Sequence, residues 1–198
     1  MVEQKYKGHQ TLSKSKKVDE QVLHKTEHTL IELKAKVNDL GIMREKLTKL
    51  RAESIGTFRQ TDFYFATPNG RLKLREVGGE DEAMLVYYER KDIAGPKRSD
   101  VFILEISEPA AFKTLLNKIL KVKATVEKTR EIYQYQGTQI HLDTVKKLGA
   151  FIEFEKETST APQAISQTKQ ALKKLMEELG INLNELEKLS YGDLVQSK

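Results

Sequence analysis

Residues 28–37 (HTLIELKAKV) alternate apolar and charged side chains, and residues 151–157 (FIEFEKE) do the same about 120 positions later. Successive side chains on a strand point to opposite faces. Glu32, Lys34 and Lys36 therefore share one face of the first strand, and Glu153, Glu155 and Glu157 one face of the other, each opposite an apolar row. Similar runs occupy residues 58–66 (FRQTDFYFA), 71–76 (RLKLRE), 83–90 (AMLVYYER), 101–107 (VFILEIS), 122–135 (VKATVEKTREIYQY) and 138–145 (TQIHLDTV). The turn TPNG at 67–70 predicts a hairpin, because Pro presets a turn dihedral and Gly accepts positive φ. The segments 77–82 and 91–100 read as a polar break and a charged loop. Helical spacing predicts helices over 42–54, over 109–121 with Pro109 in its opening turn, over 161–180 ended by Gly180, and over 182–190 capped by Asn182 or Asn184. About eight antiparallel strands dominate, with helices at their edges.

One parity of these strands collects the charge. Glu32 and Lys34, then Arg71, Lys73 and Arg75, then Arg90 beside Tyr88, Lys128 and Arg130, His141 and Asp143, and Glu153 and Glu155 each alternate with Ile, Leu, Phe or Val. Two architectures satisfy this pattern. A half-open sheet would leave the charged face solvated. A closed barrel would turn it inward, so that cations and carboxylates converge on an axis. Like charges gathered in a low-dielectric space repel and lose hydration, which a bound polyanion and a hard cation would relieve. Arg forks onto phosphate oxygens, Lys acts as a point charge, and clustered carboxylates hold a divalent ion.

Composition narrows the classes. The 198 residues carry 34 Lys and Arg against 29 Asp and Glu, a formal net charge of +5, and no Cys. Thiolate metal sites, disulfides and cysteine nucleophiles are excluded. No apolar run approaches a membrane span and no secretory leader is visible, so a cytoplasmic protein without a membrane partner is expected. Residues 1–25, with Lys5, Lys7, Lys14, Lys16, Lys17 and Lys25 among few apolar anchors, read as a flexible arm. Residues 26–198 read as one domain. There is no Gly-x-x-x-x-Gly-Lys phosphate loop and no Gly-x-Ser-x-Gly elbow. The acidic stripes argue against nucleic acid as a partner.

Taken in order, IELKAKV, DFYF with GRLKLRE, YYER, KTREIY, IHLDTVKKLGAFIEFE and the late SYGDL at 190–194 resemble the CYTH superfamily of triphosphate tunnel metalloenzymes. The pattern lies nearest the class IV adenylyl cyclases, with thiamine triphosphatase and inorganic triphosphatases further off, and covers about residues 26–195. The resemblance implies an α+β fold, an eight-stranded antiparallel β-barrel forming a triphosphate tunnel with flanking helices. It also implies one or two Mg²⁺ or Mn²⁺ ions. Lys34, Lys73, Arg75, Arg90, Arg98, Lys128 and Arg130 would then bind triphosphate, Glu32, Asp143, Glu153 and Glu155 would hold metal, and Lys34 and Tyr64 would be the catalytic candidates. The family's opening Glu-x-Glu-x-Lys falls on Leu30, Glu32 and Lys34, so its first carboxylate is missing. That loss puts a second metal in question and favours Mn²⁺, the less demanding ion. His141, beside the expected site, reads as a phosphate donor or a structural group.

The resemblance implies a metal-dependent enzyme: a phosphorus-oxygen lyase making cyclic AMP and pyrophosphate from ATP, or a phosphohydrolase of inorganic, nucleoside or thiamine triphosphate. A triphosphate-binding protein with weak turnover is a third reading, which Leu30 favours. Homodimer formation is left open.

Overall fold

A computed structural model describes residues 27–78 and 81–197; the expected N-terminal arm lies outside these residues. Eight strands close into an antiparallel barrel: β1 (Glu27–Val37), β2 (Glu53–Phe65), β3 (Arg71–Val77), β4 (Ala83–Arg90), β5 (Lys97–Ile106), β6 (Val122–Tyr135), β7 (Thr138–Val145) and β8 (Gly149–Glu157). Their order around the barrel is β1-β5-β4-β3-β2-β6-β7-β8. The meander β2 to β5 and the meander β6 to β8 are joined by β2 against β6, and β1 closes the ring between β5 and β8. Four helices flank it: α1 (Leu40–Lys49), α2 (Pro109–Ile119), α3 (Pro162–Glu178) and α4 (Tyr191–Gln196). No helix of the described residues is long and apolar enough to cross a membrane.

The barrel is packed outside in. Ile31, Leu33 and Ala35 of β1, Ile140 and Leu142 of β7, and Ile152 and Phe154 of β8 are fully buried on the outer face, beneath Met43 and Leu47 of α1 and Leu172, Leu175 and Met176 of α3. A second core lies under α2, where Leu116 meets Phe65, Leu74 and Ala83. Burying a large aliphatic side chain stabilises by roughly 1.5–3 kcal/mol, so the helices hold the barrel closed by its outer rows. The inner rows are thereby released for polar work. In β6 the buried positions alternate strictly, and Lys128 and Arg130 stand in the same buried row as Ala124, Val126 and Ile132. The charged parity therefore faces the lumen, as the barrel reading expects.

Local chemistry explains where the observed elements depart from the periodicity. Strand β2 starts at Glu53 rather than near 58, because Gly56 (φ +155°) absorbs a bulge that lets Glu53 and Ser54 keep pairing with Gln134 and Tyr133. Strand β5 starts at Lys97 inside the expected charged loop, since Lys97 to Asp100 pair with β1 and β4. The expected helix over 182–190 is a single 3₁₀ turn, Leu183–Glu185, followed by extended chain. There Leu186 bridges Ala35, and Glu187 donates its N–H to the Lys34 carbonyl. Edge pairing with β1 satisfies backbone groups that a helix would otherwise have satisfied.

Candidate active site

The SYGDL segment closes one end of the lumen. Ser190 caps α4 by accepting from the Asp193 N–H, and Asp193 accepts from the Ser190 N–H in return. Tyr191 points into the barrel, edge-on to Phe151 with ring centroids 5.1 Å apart, and donates its hydroxyl to Asp143 Oδ2 at 2.8 Å. Gly192 lies against the Tyr64 ring so closely that a Cβ would come within 2.8 Å of it. Asp193 also takes Arg71 at 2.9 Å. Ser190, Tyr191, Gly192 and Asp193 thus each have a distinct task there.

Inside, the lumen encloses a cavity of about 140 Å³. On the β2, β3 and β6 side, the fully buried Asp62 accepts two hydrogen bonds from Arg75, at 2.7 and 2.9 Å, and one from Lys73 at 3.2 Å, while Lys128 lies 3.6 Å away. Burial alone would raise the Asp62 carboxyl, but Arg75, Lys73 and Lys128 hold it well below its ordinary value. One carboxylate among three cations leaves two positive charges over. Burial, with Arg130 and Arg75 beside it, brings the Lys128 ammonium down to about 7. Burial and Arg75 bring Lys73 to about 8. This wall is short of negative charge.

The β7 and β8 wall is acidic. Arg130 forks onto Asp143 at 2.7 and 2.6 Å and reaches Glu153 Oε2 at 2.5 Å. Lys34 lies 3.1 Å from Glu153 Oε1, donates to the Leu189 carbonyl at 3.1 Å, and sits 3.8 Å above the Tyr191 ring. Burial would raise Glu153, but Lys34 and Arg130 hold it well below the usual range. Glu32 pairs with Arg90. Its carboxyl is nevertheless held above its usual value, by burial first and by repulsion from Glu155 and Glu153, against the pull of Arg90 and Lys34. His141 Nδ1 lies 3.9 Å from Glu153 and 3.7 Å from Glu155, and these three residues can bring ligand atoms within 4.8 Å of one another.

Of the residues expected to bind triphosphate, the structure brings Lys34, Lys73, Arg75, Arg90, Lys128 and Arg130 around one cavity. Arg98 is not among them. It occupies the outward parity of β5 and bonds to Asp100 at 2.9 Å, while its neighbour Lys97 is the inward, fully buried cation, held down to about 8 by burial and by Arg90. Glu32, Glu153 and Glu155 line the cavity, whereas Asp143 has its two oxygens committed to Arg130 and Tyr191. Tyr64 is buried, and burial followed by Tyr88 keeps its hydroxyl protonated well above the usual range. Leu30 does face the lumen. Sequence reasoning missed Asp62, Lys97, Ser99 and Gln60. Asp62 carried a signal, because it shares the parity of Tyr64 and lies opposite Arg75 across the hairpin.

Two further properties shape what this cavity can hold. Among the described residues, five buried side-chain atoms lack a hydrogen-bond partner, and four of them, Gln60 Oε1, Arg90 Nε, Ser99 Oγ and His141 Nδ1, belong to residues lining it. Buried polar atoms are nearly always satisfied, so their concentration here marks a place made for a polar ligand. Beside the cations lies an apolar panel of Leu30, Met84, Val86, Val101 and Ile103, with Ile132 on β6, the strand opposite β5 in the ring. None of these six belongs to the apolar cores described above.

The chain belongs to the CYTH domain family, whose profile matches residues 28–191. It is 27% identical over 177 residues, 83% of this chain and 97% of the other, to a Methanocaldococcus jannaschii protein named as a candidate adenylate cyclase. The structure of a Pyrococcus horikoshii protein is similar, with a TM-score of 0.75 and 25% identity, covering 84% of this chain and 99% of that one. A Hippeastrum structure described as an adenylyl cyclase candidate with dominant triphosphatase activity shares the fold at a TM-score of 0.60 and 17% identity, covering 86% and 95%.

Members of this family act on triphosphates with divalent metal ions. The donors present fit such an ion: among the described residues the Glu155 carboxylate is approached by His141 at 3.7 Å, Glu153 and Glu32 stand beside it, and the repulsion of Glu32 by Glu155 and Glu153 calls for a cation. Asp143 fits less well, because metal binding there would displace Arg130 or Tyr191.

Proposed function

We propose that the protein is a divalent-metal-dependent enzyme acting on the triphosphate of a nucleotide, converting ATP to cyclic AMP and pyrophosphate as class IV adenylyl cyclases do. The observation that carries this reading is the Asp62 cluster, where Arg75, Lys73 and Lys128 share one carboxylate and face a carboxylate wall across a closed lumen. A polyphosphate supplies the missing negative charge. The adjoining apolar panel favours a substrate with a flat organic head over bare inorganic triphosphate, because apolar side chains that face the lumen gain from being covered by such a ring.

In this reading Arg75, Lys73 and Lys128 hold the phosphate chain, and Arg130 with Lys34 stands where charge develops on the reacting phosphorus. Cyclisation forms a bond from the ribose 3′ oxygen to the α phosphorus and breaks the bond to pyrophosphate, with the 3′ proton passing to water and the departing pyrophosphate. A divalent ion held by Glu155, Glu153 and Glu32 would polarise the phosphate oxygens and lower the barrier to attack. Lys34, anchored by Glu153 and the Leu189 carbonyl, presents its ammonium as a fixed donor. Tyr64, protonated and packed against Gly192, can donate a hydrogen bond but not accept a proton.

A second reading, hydrolysis of the terminal phosphate, uses the same walls, and the triphosphatase activity named for the Hippeastrum protein supports it. Incubating the purified protein with ATP, inorganic triphosphate and thiamine triphosphate, in Mg²⁺ and in Mn²⁺, separates the two. Cyclic AMP with pyrophosphate from ATP supports the cyclase. Orthophosphate from any of the three without cyclic AMP replaces it with a triphosphatase, and no product from any substrate removes the enzymatic reading.

A further inference from the structure

The acidic wall contains one donor that is not an oxygen. His141 is 2% exposed, and its ring is held by one hydrogen bond, Nε2 to Gln139 Oε1 at 3.1 Å. An amide oxygen only accepts, so Nε2 carries the proton in that bond. Nδ1 has no hydrogen-bond partner and is aimed between Glu153 and Glu155, 3.9 and 3.7 Å away. With its proton on Nε2, the ring turns Nδ1 toward two carboxylates. Lys34 and Arg130 offset the charge of Glu153 from its other side, and a cation between Nδ1, Glu153 and Glu155 would draw all three donors together. The hydrogen bond from the far ring nitrogen to a fixed side chain is the arrangement that orients metal-binding histidines.

Leu30 points the same way from across the strand boundary. It lines the same cavity, two residues from Glu32 on the same face of β1, and offers no oxygen. The wall has thus one carboxylate fewer than the family signature expects and one nitrogen donor in reach. Mg²⁺ favours six oxygens in a strict octahedron and sheds water reluctantly, whereas Mn²⁺ and the later divalent ions accept imidazole with increasing affinity.

We propose that His141 is a metal ligand through Nδ1, together with Glu153 and Glu155, and that this nitrogen makes the site selective for transition-series divalent ions over Mg²⁺. The proposal shares with the proposed function the premise that the lumen holds a metal, but it concerns binding and stands apart from turnover. Gln139 is its positioning residue, since it fixes the tautomer that leaves Nδ1 free.

The full-length protein, stripped of metal and titrated with Mn²⁺, provides the test through electron spin echo modulation. The proposal expects a ¹⁴N coupling to bound Mn²⁺, replaced by a ¹⁵N signature when the protein is made with ¹⁵N-histidine and lost in His141→Gln. Calorimetry should show Mn²⁺ affinity falling about tenfold or more in His141→Gln, and by a comparable factor in Gln139→Ala, in line with the cost of disturbing a ligand's supporting contacts. Mg²⁺ affinity should change far less, so that the preference for Mn²⁺ narrows. Circular dichroism and thermal melting of each variant confirm folding, and Gln139→Ala, which leaves the imidazole in place, serves if His141→Gln does not fold. Mn²⁺ bound without nitrogen coupling, coupling that survives in His141→Gln, or no Mn²⁺ binding overturns the proposal. Nitrogen-coupled Mn²⁺ in a protein without turnover would leave it standing and remove only the enzymatic reading.

Discussion

Asp62 and Arg75 form a two-point ion pair at 2.7 and 2.9 Å in which the carboxylate is wholly shielded from water. The pair does not end there, because Lys73 and Lys128 approach the same carboxylate at 3.2 and 3.6 Å. Asp62 is the counter-charge that lets three cations stand together before a ligand arrives, and removing one partner of a buried charge cluster typically costs about 3–5 kcal/mol. Asp62→Asn is therefore expected to lower the thermal midpoint markedly. Added triphosphate should recover much of the loss by replacing the missing charge. Melting curves with and without triphosphate check this; a variant as stable as the parent would show that the cluster does not govern stability.

Proton linkage gives a second expectation. Burial and neighbouring cations press the Lys128 ammonium down to about 7 and that of Lys73 to about 8. A bound polyanion favours their charged forms and raises both values. Binding must then take up protons, and affinity must fall as pH rises above the free values, from about 7 upward. Calorimetric titrations at pH 7.5 in buffers of different ionisation enthalpy should reveal net proton uptake. Proton release, or affinity that is flat from pH 6.5 to 9, would contradict the charge state assigned to this wall.

Metal binding offers a third. Glu155→Gln is nearly isosteric and removes a partly exposed carboxylate, so the fold should survive while Mn²⁺ affinity falls. Leu30→Glu should act in the opposite direction, adding an oxygen donor at the position where the signature carboxylate is missing. Calorimetry with a non-hydrolysable triphosphate present reads both. If Leu30→Glu weakens metal binding, Leu30 serves only the apolar panel and not also the edge of the metal shell.

The strand periodicity made the strands legible because their outer face is a conventional apolar face, and Ile31, Leu33 and Ala35 follow the period of two in β1, while the barrel itself was implied only by the family resemblance. The same alternation placed Lys73, Arg75, Lys128 and Arg130 on one parity without deciding whether it faced water or a lumen. That depended on ring closure of β1 between β5 and β8, a long-range pairing that no local pattern encodes. Arg98 points outward and Lys97 inward because the charged run at the start of β5 hid where the strand began, and a shift of one residue turns every side chain to the other face. Asp143, expected as a metal ligand, has its oxygens hydrogen-bonded to Arg130 and Tyr191, partners 13 and 48 residues away in sequence. The SYGDL segment carried the resemblance, but its task depends on contacts with Tyr64, Asp143 and Arg71 that only the folded chain brings together.

The central claim is that the cation wall and the apolar panel together hold a triphosphate bearing an organic head. The most direct measurement is a set of calorimetric titrations in Mn²⁺ comparing a non-hydrolysable ATP analogue, inorganic triphosphate and orthophosphate, on the parent protein and on Lys128→Met. The account predicts that the ATP analogue binds most tightly, inorganic triphosphate less so and orthophosphate far more weakly, with Lys128→Met reducing the first two by tenfold or more, or about 1.4 kcal/mol. Equal affinity for all three anions, or binding that is indifferent to Lys128→Met, would contradict it.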